Sequence, residues 1–201
     1  SARPSPALSL AVADAGGEAF RASSSPAWAA FGGWVAVAGH ADGGLQAWCV
    51  GAAAGRAAAG GSSGAPPADP PPPPALTLEG VHQSGITCLE LVVVGDRQGS
   101  ASGGASGKEE GGGTAATRLA CVSGGDDQAL TVTWLAAAWS GDCGADGGPV
   151  LALSRTASAS LPSAHGSALR GLWAGVWAGR LTAVSVCLEQ RARVWTAAAG
   201  G

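Results

Sequence analysis

The side chains best suited to chemistry lie in the segment 118–135, RLACVSGGDDQALTVTWL, and just upstream of it. Ser123 and Asp127 stand on either side of a glycine pair, and His82 precedes them in the chain. Nucleophilic hydrolysis needs a serine hydroxyl, an imidazole that takes its proton and a carboxylate that orients the imidazole. The same residue types also form buried polar networks that hold strands in register. The three residues therefore indicate either a hydrolytic site on Ser123 and His82 or a structural network.

Internal repetition separates these two alternatives. Three segments share the plan of a strand, a tight acidic turn and a second strand that ends at Trp: VAVAGHADGGLQAW, LACVSGGDDQALTVTW and LTAVSVCLEQRARVW. The acid lies six residues before the Trp in the first and third copies and seven residues before it in the second. A serine stands four residues before the acid in the second and third copies, where the first copy has Ala38. A histidine opens the strand that precedes each of those two copies.

A catalytic site is not normally duplicated at the period of a fold, whereas a structural network is. The repetition therefore predicts a buried network and no catalytic residue. The pattern resembles the WD40 repeat, and this resemblance implies that the turn carboxylate accepts hydrogen bonds from an imidazole N–H and turn amides, while the serine hydroxyl relays to the Trp indole. The expected network residues are Asp42 and Trp48 in the first copy, His82, Ser123 and Asp127 in the second, and His165, Ser185, Glu189 and Trp195 in the third.

Short apolar runs with β-branched residues and Trp, bounded by Gly, Asp and Ser, predict an all-β fold. The runs are WVAVAG, LQAWCV, GITCLELVVV, RLACVSG, ALTVTWL, ALRGLWAGVW, RLTAVSVCL and RARVWTA. The stretches rich in Gly, Ala and Pro between them cannot hold a core and predict long disordered loops. The expected organisation is a partial repeat unit in 1–50, a Pro/Ala/Gly-rich linker in 51–75, a unit in 76–139 with a Gly-rich insert at 95–117, a loop in 140–160 and a unit in 161–201.

The bulk composition restricts the ligands and the location. Charged residues make up 12% of the chain and the net charge is -3, so any contact with nucleic acid must be local. The candidate contacts to RNA or a partner are Arg180 and Arg191, at predicted strand ends. The five cysteines lie mostly in apolar runs and form no CxxC pair, which predicts no metal site and a reducing, cytoplasmic location. The sequence shows no cofactor motif and no membrane-spanning run.

The repeat resembles the WD40 repeat, in which four-stranded blades stand radially in a β-propeller. The ordered segments VHQSGITCLELV, LACVSGGDDQALTVTWLAAAW, SLPSAHGSALRGL and LTAVSVCLEQRARVW resemble the C-terminal blades of the WD-repeat protein 6 family over residues 81–135 and 160–196. That family has Asp where this chain has Glu189. The resemblance implies a partial WD40 propeller of about two to three blades, fewer than a closed ring needs. We therefore expect either a C-terminal piece of a longer propeller protein or a diverged or truncated gene product.

The resemblance also implies a function. Proteins of this family partner a tRNA ribose 2'-O-methyltransferase that acts at the wobble position, and S-adenosylmethionine belongs to that enzyme. The expectation is therefore a non-catalytic adaptor without a cofactor of its own, with the methyltransferase, and tRNA beside it, as partners. The alternative is a generic protein-interaction propeller without an RNA role, which the low charge favours.

Overall fold

The computed structural model describes residues 7–14, 33–51, 73–96, 116–143 and 149–198, and within these ranges every regular element is a β-strand. Sheet 1 contains β1 (Ala7–Asp14), β2 (Gly33–His40), β3 (Leu45–Gly51) and β4 (Leu76–Leu78). Sheet 2 contains β5 (Ile86–Asp96), β6 (Thr117–Gly125), β7 (Leu130–Cys143) and β8 (Pro149–Leu161). Sheet 3 contains β9 (Leu169–Trp177), β10 (Arg180–Cys187) and β11 (Ala192–Ala198).

Each sheet is antiparallel, its strands neighbour one another in chain order, and none of the three sheets closes on itself. The turns β2–β3, β6–β7 and β10–β11 have the same plan. Their third residues, Gly43, Gln128 and Gln190, have φ of 82°, 67° and 60°, and each N–H donates to the carbonyl three residues earlier. The left-handed residue tightens these turns so that the flanking strands pair without a bulge.

The sheets pack face to face through two apolar cores. One core lies between sheets 1 and 2 and is centred on the fully buried Val35, Ile86 and Leu119. The other lies between sheets 2 and 3 and contains Val122 and Leu169. Sheet 2 is therefore covered on both faces, which explains why β6 is buried at every position except Arg118 instead of alternating between buried and exposed.

The first strands of successive sheets lie next to each other. Ser9 Oγ of β1 donates to the carbonyl of Ile86 at 3.1 Å, and Thr87 Oγ1 of β5 donates to the carbonyl of Leu169 at 2.6 Å. A glycine permits this approach at both interfaces. A Cβ at Gly39 would lie 2.6 Å from the Ile86 side chain, and a Cβ at Gly124 would lie 2.6 Å from that of Leu169.

The prediction of an all-β fold is confirmed, and each of the eight apolar runs forms a strand. The prediction of a loop in 140–160 is wrong, because β7 continues to Cys143 and β8 occupies Pro149–Leu161. The boundary at residue 76 is also wrong, since β4 pairs with β3 and completes sheet 1. Residues 52–72 of the linker and 97–115 of the insert lie outside the described residues. In the part of the chain that the structure describes, no helix is long and apolar enough to cross a membrane.

Candidate functional site

The predicted network residues come from the same three places in sheets 2 and 3. His82 and His165 lie in the loops that precede β5 and β9, Ser123 and Ser185 lie in the second strands, and the acids lie in the following turn. The histidine loops are held by backbone bonds to the preceding sheet. The N–H of His82 donates to Gly43 O at 3.1 Å, and the N–H of His165 donates to Gln128 O at 3.3 Å. Each histidine is therefore positioned by the left-handed turn residue of the sheet before it.

In sheet 2 the structure brings His82, Ser123 and Asp127 into one hydrogen-bonded chain. His82 Nε2 lies 2.9 Å from Ser123 Oγ, and His82 Nδ1 lies 2.9 Å from Asp127 Oδ1. The tautomer with its proton on Nδ1 donates to the carboxylate and accepts the serine O–H, so both ring nitrogens are satisfied. Gly125 makes room for the contact, since a Cβ there would lie 2.8 Å from Asp127 Oδ1 and 2.9 Å from His82 Nδ1.

The Asp127 carboxylate also fixes the two neighbouring loops. It accepts the N–H of Gln83 at 2.8 Å and the N–H of Ala129 at 3.1 Å. Burial alone would raise the pKa of Asp127, but the hydrogen bonds from His82, Gln83 and Ala129 outweigh it and lower the pKa below its ordinary value of 3.8. The sequence predicted main-chain donors to this carboxylate but not that they are Gln83 and Ala129, because any residue type can donate a main-chain N–H.

Sheet 3 repeats the histidine–serine pair with a different third member. His165 Nε2 lies 2.7 Å from Ser185 Oγ, and the indole N–H of Trp195 donates to the same oxygen at 2.8 Å. Glu189 does not join this chain: its carboxylate lies 3.7 Å from Arg191 Nε, and His165 Nδ1 is buried without a hydrogen-bond partner among the described residues. The prediction that Glu189 bonds to the imidazole as Asp127 does is therefore wrong.

Burial and a neighbouring cation disfavour protonation of the His165 imidazole. Its burial and then the guanidinium of Arg193 lower the pKa of His165 below its ordinary value of 6.5, and Glu189 opposes them only in part. Arg193 is held close by a hydrogen bond from Nη1 to the carbonyl of Ala164 at 2.6 Å.

In sheet 2 no Trp reaches the serine, because the register differs from the one that the sequence spacing suggests. Ser123 pairs with Thr131, and Ser185 pairs with Arg193, so the residue that corresponds to Trp195 is Thr133. Trp134 lies one residue further on and faces sheet 3, in the second core. A one-residue slip along a strand moves a side chain to the other face of its sheet. The hydroxyl of Thr133 is consequently buried without a hydrogen-bond partner among the described residues.

In sheet 1 the described residues show the turn of this arrangement but no serine at the second-strand position. Asp42 Oδ1 accepts the N–H of Gly44 at 3.0 Å, and Trp48 occupies the register position that corresponds to Trp195. Ala38 stands where the other sheets have serine and provides no hydroxyl to the indole.

The structure does not bring the two predicted contact residues together. Arg180 begins β10 and Arg191 follows its far end, so the length of the strand, about 23 Å, separates them. Both are exposed, with Arg180 Nη2 donating weakly to Thr196 Oγ1 at 3.4 Å. They do not form a single basic patch.

The remaining chemical groups form no further site in the described residues. Burial raises the pKa of the Cys121 thiol to about 12 and that of Cys49 to about 11, so both stay protonated and inert. Cys88 and Cys187 are also buried, as the sequence predicts for small apolar residues. No group of three or more His, Cys, Asp or Glu side chains in the described residues could hold a metal ion.

No protein-family model matches the chain, and no curated protein matches it by sequence. We therefore interpret the site from its own geometry. Ser123 and Ser185 are each 0% exposed, and the paired imidazoles are buried, so a substrate in solution has no path to either hydroxyl.

Proposed function

We propose that this protein is a non-catalytic scaffold of the WD40 propeller type and acts as an adaptor for a tRNA ribose 2'-O-methyltransferase at the wobble position. The observation that supports a scaffold is the buried histidine–serine pair, present at the same register position of two successive sheets. A nucleophile must reach its substrate, whereas a structural network is stabilised by the absence of water.

The propeller assignment is supported by the way the sheets are arranged. Each is an antiparallel meander, and the first strands of neighbouring sheets lie in contact, as they do around a propeller axis. The arrangement of loop histidine, second-strand serine and turn acid is the one expected for a WD40 blade. Sheets 1, 2 and 3 would be successive blades, with boundaries at residues 79–85 and 162–168.

The methyltransferase role is supported by the sequence resemblance over residues 81–135 and 160–196. In this role the chain binds the enzyme and the enzyme supplies S-adenosylmethionine. The net charge of -3 and the separation of Arg180 from Arg191 favour a protein partner as the main contact, with tRNA held mostly by the enzyme.

Affinity purification of the full chain, followed by mass spectrometry of the wobble nucleotides, tests this role. We expect a ribose methyltransferase to co-purify, and the wobble 2'-O-methyl group to be lost from its tRNAs when the protein is depleted. An unchanged methylation level would contradict the adaptor role.

A second candidate is a protein-interaction propeller without an RNA role, and the low charge favours it. The two candidates differ in salt dependence. An adaptor complex that holds tRNA should lose affinity for it steeply as salt rises, because phosphate contacts release counterions. A complex that shows no tRNA binding at low salt would favour the second candidate.

A hydrolase built on Ser123 and His82 makes a different prediction. A fluorophosphonate probe, which labels accessible activated serines, should leave the folded chain unlabelled. Comparison with the Ser123→Ala variant shows whether any labelling that occurs is specific to that hydroxyl. Labelling lost in the variant would contradict the scaffold role.

A further inference from the structure

Among the described residues, sheets 1 and 2 each have four strands, whereas sheet 3 has three. In sheet 1 the third strand β3 pairs with β4, and in sheet 2 the third strand β7 pairs with β8. Within the described residues, the third strand of sheet 3, β11, pairs only with β10. Its outer N–H and C=O groups therefore have no strand to bond, which makes β11 a template for an added strand.

An apolar strip runs across sheet 3 to this edge. Trp173 pairs with Val184 and Val184 pairs with Val194, so the three side chains lie side by side on the face away from sheet 2. Trp173 is 53% exposed and Val194 is 67% exposed. A strand added beside β11 would extend this strip if it carried an apolar residue next to Val194.

The fourth strand of sheet 1 shows which residues fit such a position. β4 has the sequence LTL and is followed by Glu79, and it pairs Leu78 with Leu45 and Leu76 with Ala47. Its two leucines contact the core between sheets 1 and 2.

The strand pairing shows which residues of β11 correspond to the residues of β3 that pair with β4. Ala38 pairs with Gln46 and Ser185 pairs with Arg193, so Leu45 corresponds to Ala192 and Ala47 corresponds to Val194. In the register of β4, the two leucines of an added strand would lie beside Ala192 and Val194, and the glutamate would lie across from Arg191. The side chain of Arg191 is 69% exposed and its nearest carboxylate oxygen, on Glu189, is 3.7 Å away. A second acid there would add a second ion pair.

We infer that the outer edge of β11 binds an extended segment of a partner protein with the pattern Leu-x-Leu-Glu, which adds to sheet 3 as an antiparallel fourth strand. The leucines extend the apolar strip beyond Val194, the glutamate pairs with Arg191, and backbone bonds supply the remaining affinity. This inference goes beyond the proposed function and does not rest on the tRNA role, since every contact is with peptide.

The probe is a synthetic peptide with the sequence of residues 73–80, PPALTLEG, titrated against the full chain by fluorescence anisotropy. We expect saturable binding that weakens at least tenfold when both leucines of the peptide are replaced by Asp. N-methylation of alternate peptide amides should abolish binding in one register and leave it intact in the other, because only one side of a strand faces its neighbour. A photoreactive peptide should cross-link to residues 192–198.

A charge exchange tests the register. The Arg191→Glu variant should bind the peptide several-fold more weakly, and a peptide with Lys in place of Glu79 should restore the affinity. Arg180→Glu, at the other end of β10, is the matched control and should leave peptide affinity unchanged. Cross-linking to another strand, equal loss in both N-methyl registers, or no binding because a second copy or another segment of the chain covers β11 would each overturn the inference.

Discussion

Asp127 is the residue on which the network of sheet 2 depends, because its carboxylate joins two loops and an imidazole. Asp127→Ala should lower the free energy of unfolding by about 2–3 kcal/mol, since it leaves the buried Nδ1–H of His82 and two main-chain N–H groups without acceptors. Urea unfolding followed by Trp fluorescence measures this loss. Asp127→Asn, which keeps one acceptor oxygen, should lose less, and an equal loss in both variants would show that the hydrogen bonds are not its source.

Thr133 occupies the register position in sheet 2 that Trp195 occupies in sheet 3, where the indole donates to the network serine. Its hydroxyl is buried and unpartnered among the described residues, so the isosteric Thr133→Val should raise the free energy of unfolding by about 1 kcal/mol. Thr131 lies two residues earlier on the same face, and its hydroxyl donates to Ser160 Oγ at 3.0 Å. Thr131→Val is therefore the matched control and should give no gain in the same urea titration. A loss of stability in Thr133→Val would contradict this account.

Among the elements, the close approach of the sheets depends on glycines in their second strands. Gly124→Ala should cost about 1–3 kcal/mol, because its Cβ would lie 2.6 Å from Leu169 Cδ2 and 2.8 Å from Cys88 Sγ. The control is Gly171→Ala in β9, where the nearest atom, Val186 Cβ, lies at an ordinary 3.7 Å. That variant should be neutral or slightly stabilising, because alanine reduces the freedom of the unfolded chain. Thermal melts of the two variants decide the point, and equal losses would contradict it.

The second strands also show how sheet 3 differs from the others as an element. Gly39 follows Ala38, and Gly124 follows Ser123. Each glycine contacts the first strand of the next sheet. The residue that follows Ser185 is Val186, which is 39% exposed. A further sheet at the same spacing would meet the Val186 side chain where the other interfaces have only backbone. The glycine that follows the second-strand position of Ala38 and Ser123 is therefore a feature of sheets 1 and 2 and not of sheet 3.

For the whole molecule, two titrating groups predict how stability depends on pH. The pKa of His165 is lowered in the folded state, so protonation favours the unfolded chain. The stability that neutral His165 preserves is complete above about pH 6.5 and decreases as the pH falls below it. The pKa of Asp127 is also lowered, so its contribution is present above pH 3.8 and is lost as the pH falls through the lowered value.

Urea unfolding at about pH 7.5, 5 and 3 checks both windows. We expect a decrease in the free energy of unfolding between pH 7.5 and 5, smaller in Arg193→Gln because that variant removes the cation beside His165. We expect a second decrease toward pH 3 that is smaller in Asp127→Asn. The readout is the difference between pH values in each variant, which is independent of its stability at neutral pH. If both variants lose as much stability between these pH values as the wild type does, the two decreases do not come from His165 and Asp127.

The sequence by itself determined the local features. Eight strands, the acidic turns and the recurrence of histidine, serine and acid in sheets 2 and 3 were predictable, because apolar periodicity and turn chemistry act over a few residues. β1 and β4 were missed, and β8 was taken for a loop since its Ser, Thr and Ala residues from 154 to 160 carry no apolar pattern.

Only the tertiary structure decided which side chains meet. The pairing of Ser123 with Thr131 moved Trp134 to the other face, and the positions of the loops left Glu189 short of His165 although Asp127 reaches His82. Strand register and the reach of a carboxylate are set by contacts far apart in the chain, and a shift of one residue or one methylene changes the partner. The open edge of β11 likewise depends on which strands pair, which no local pattern specifies.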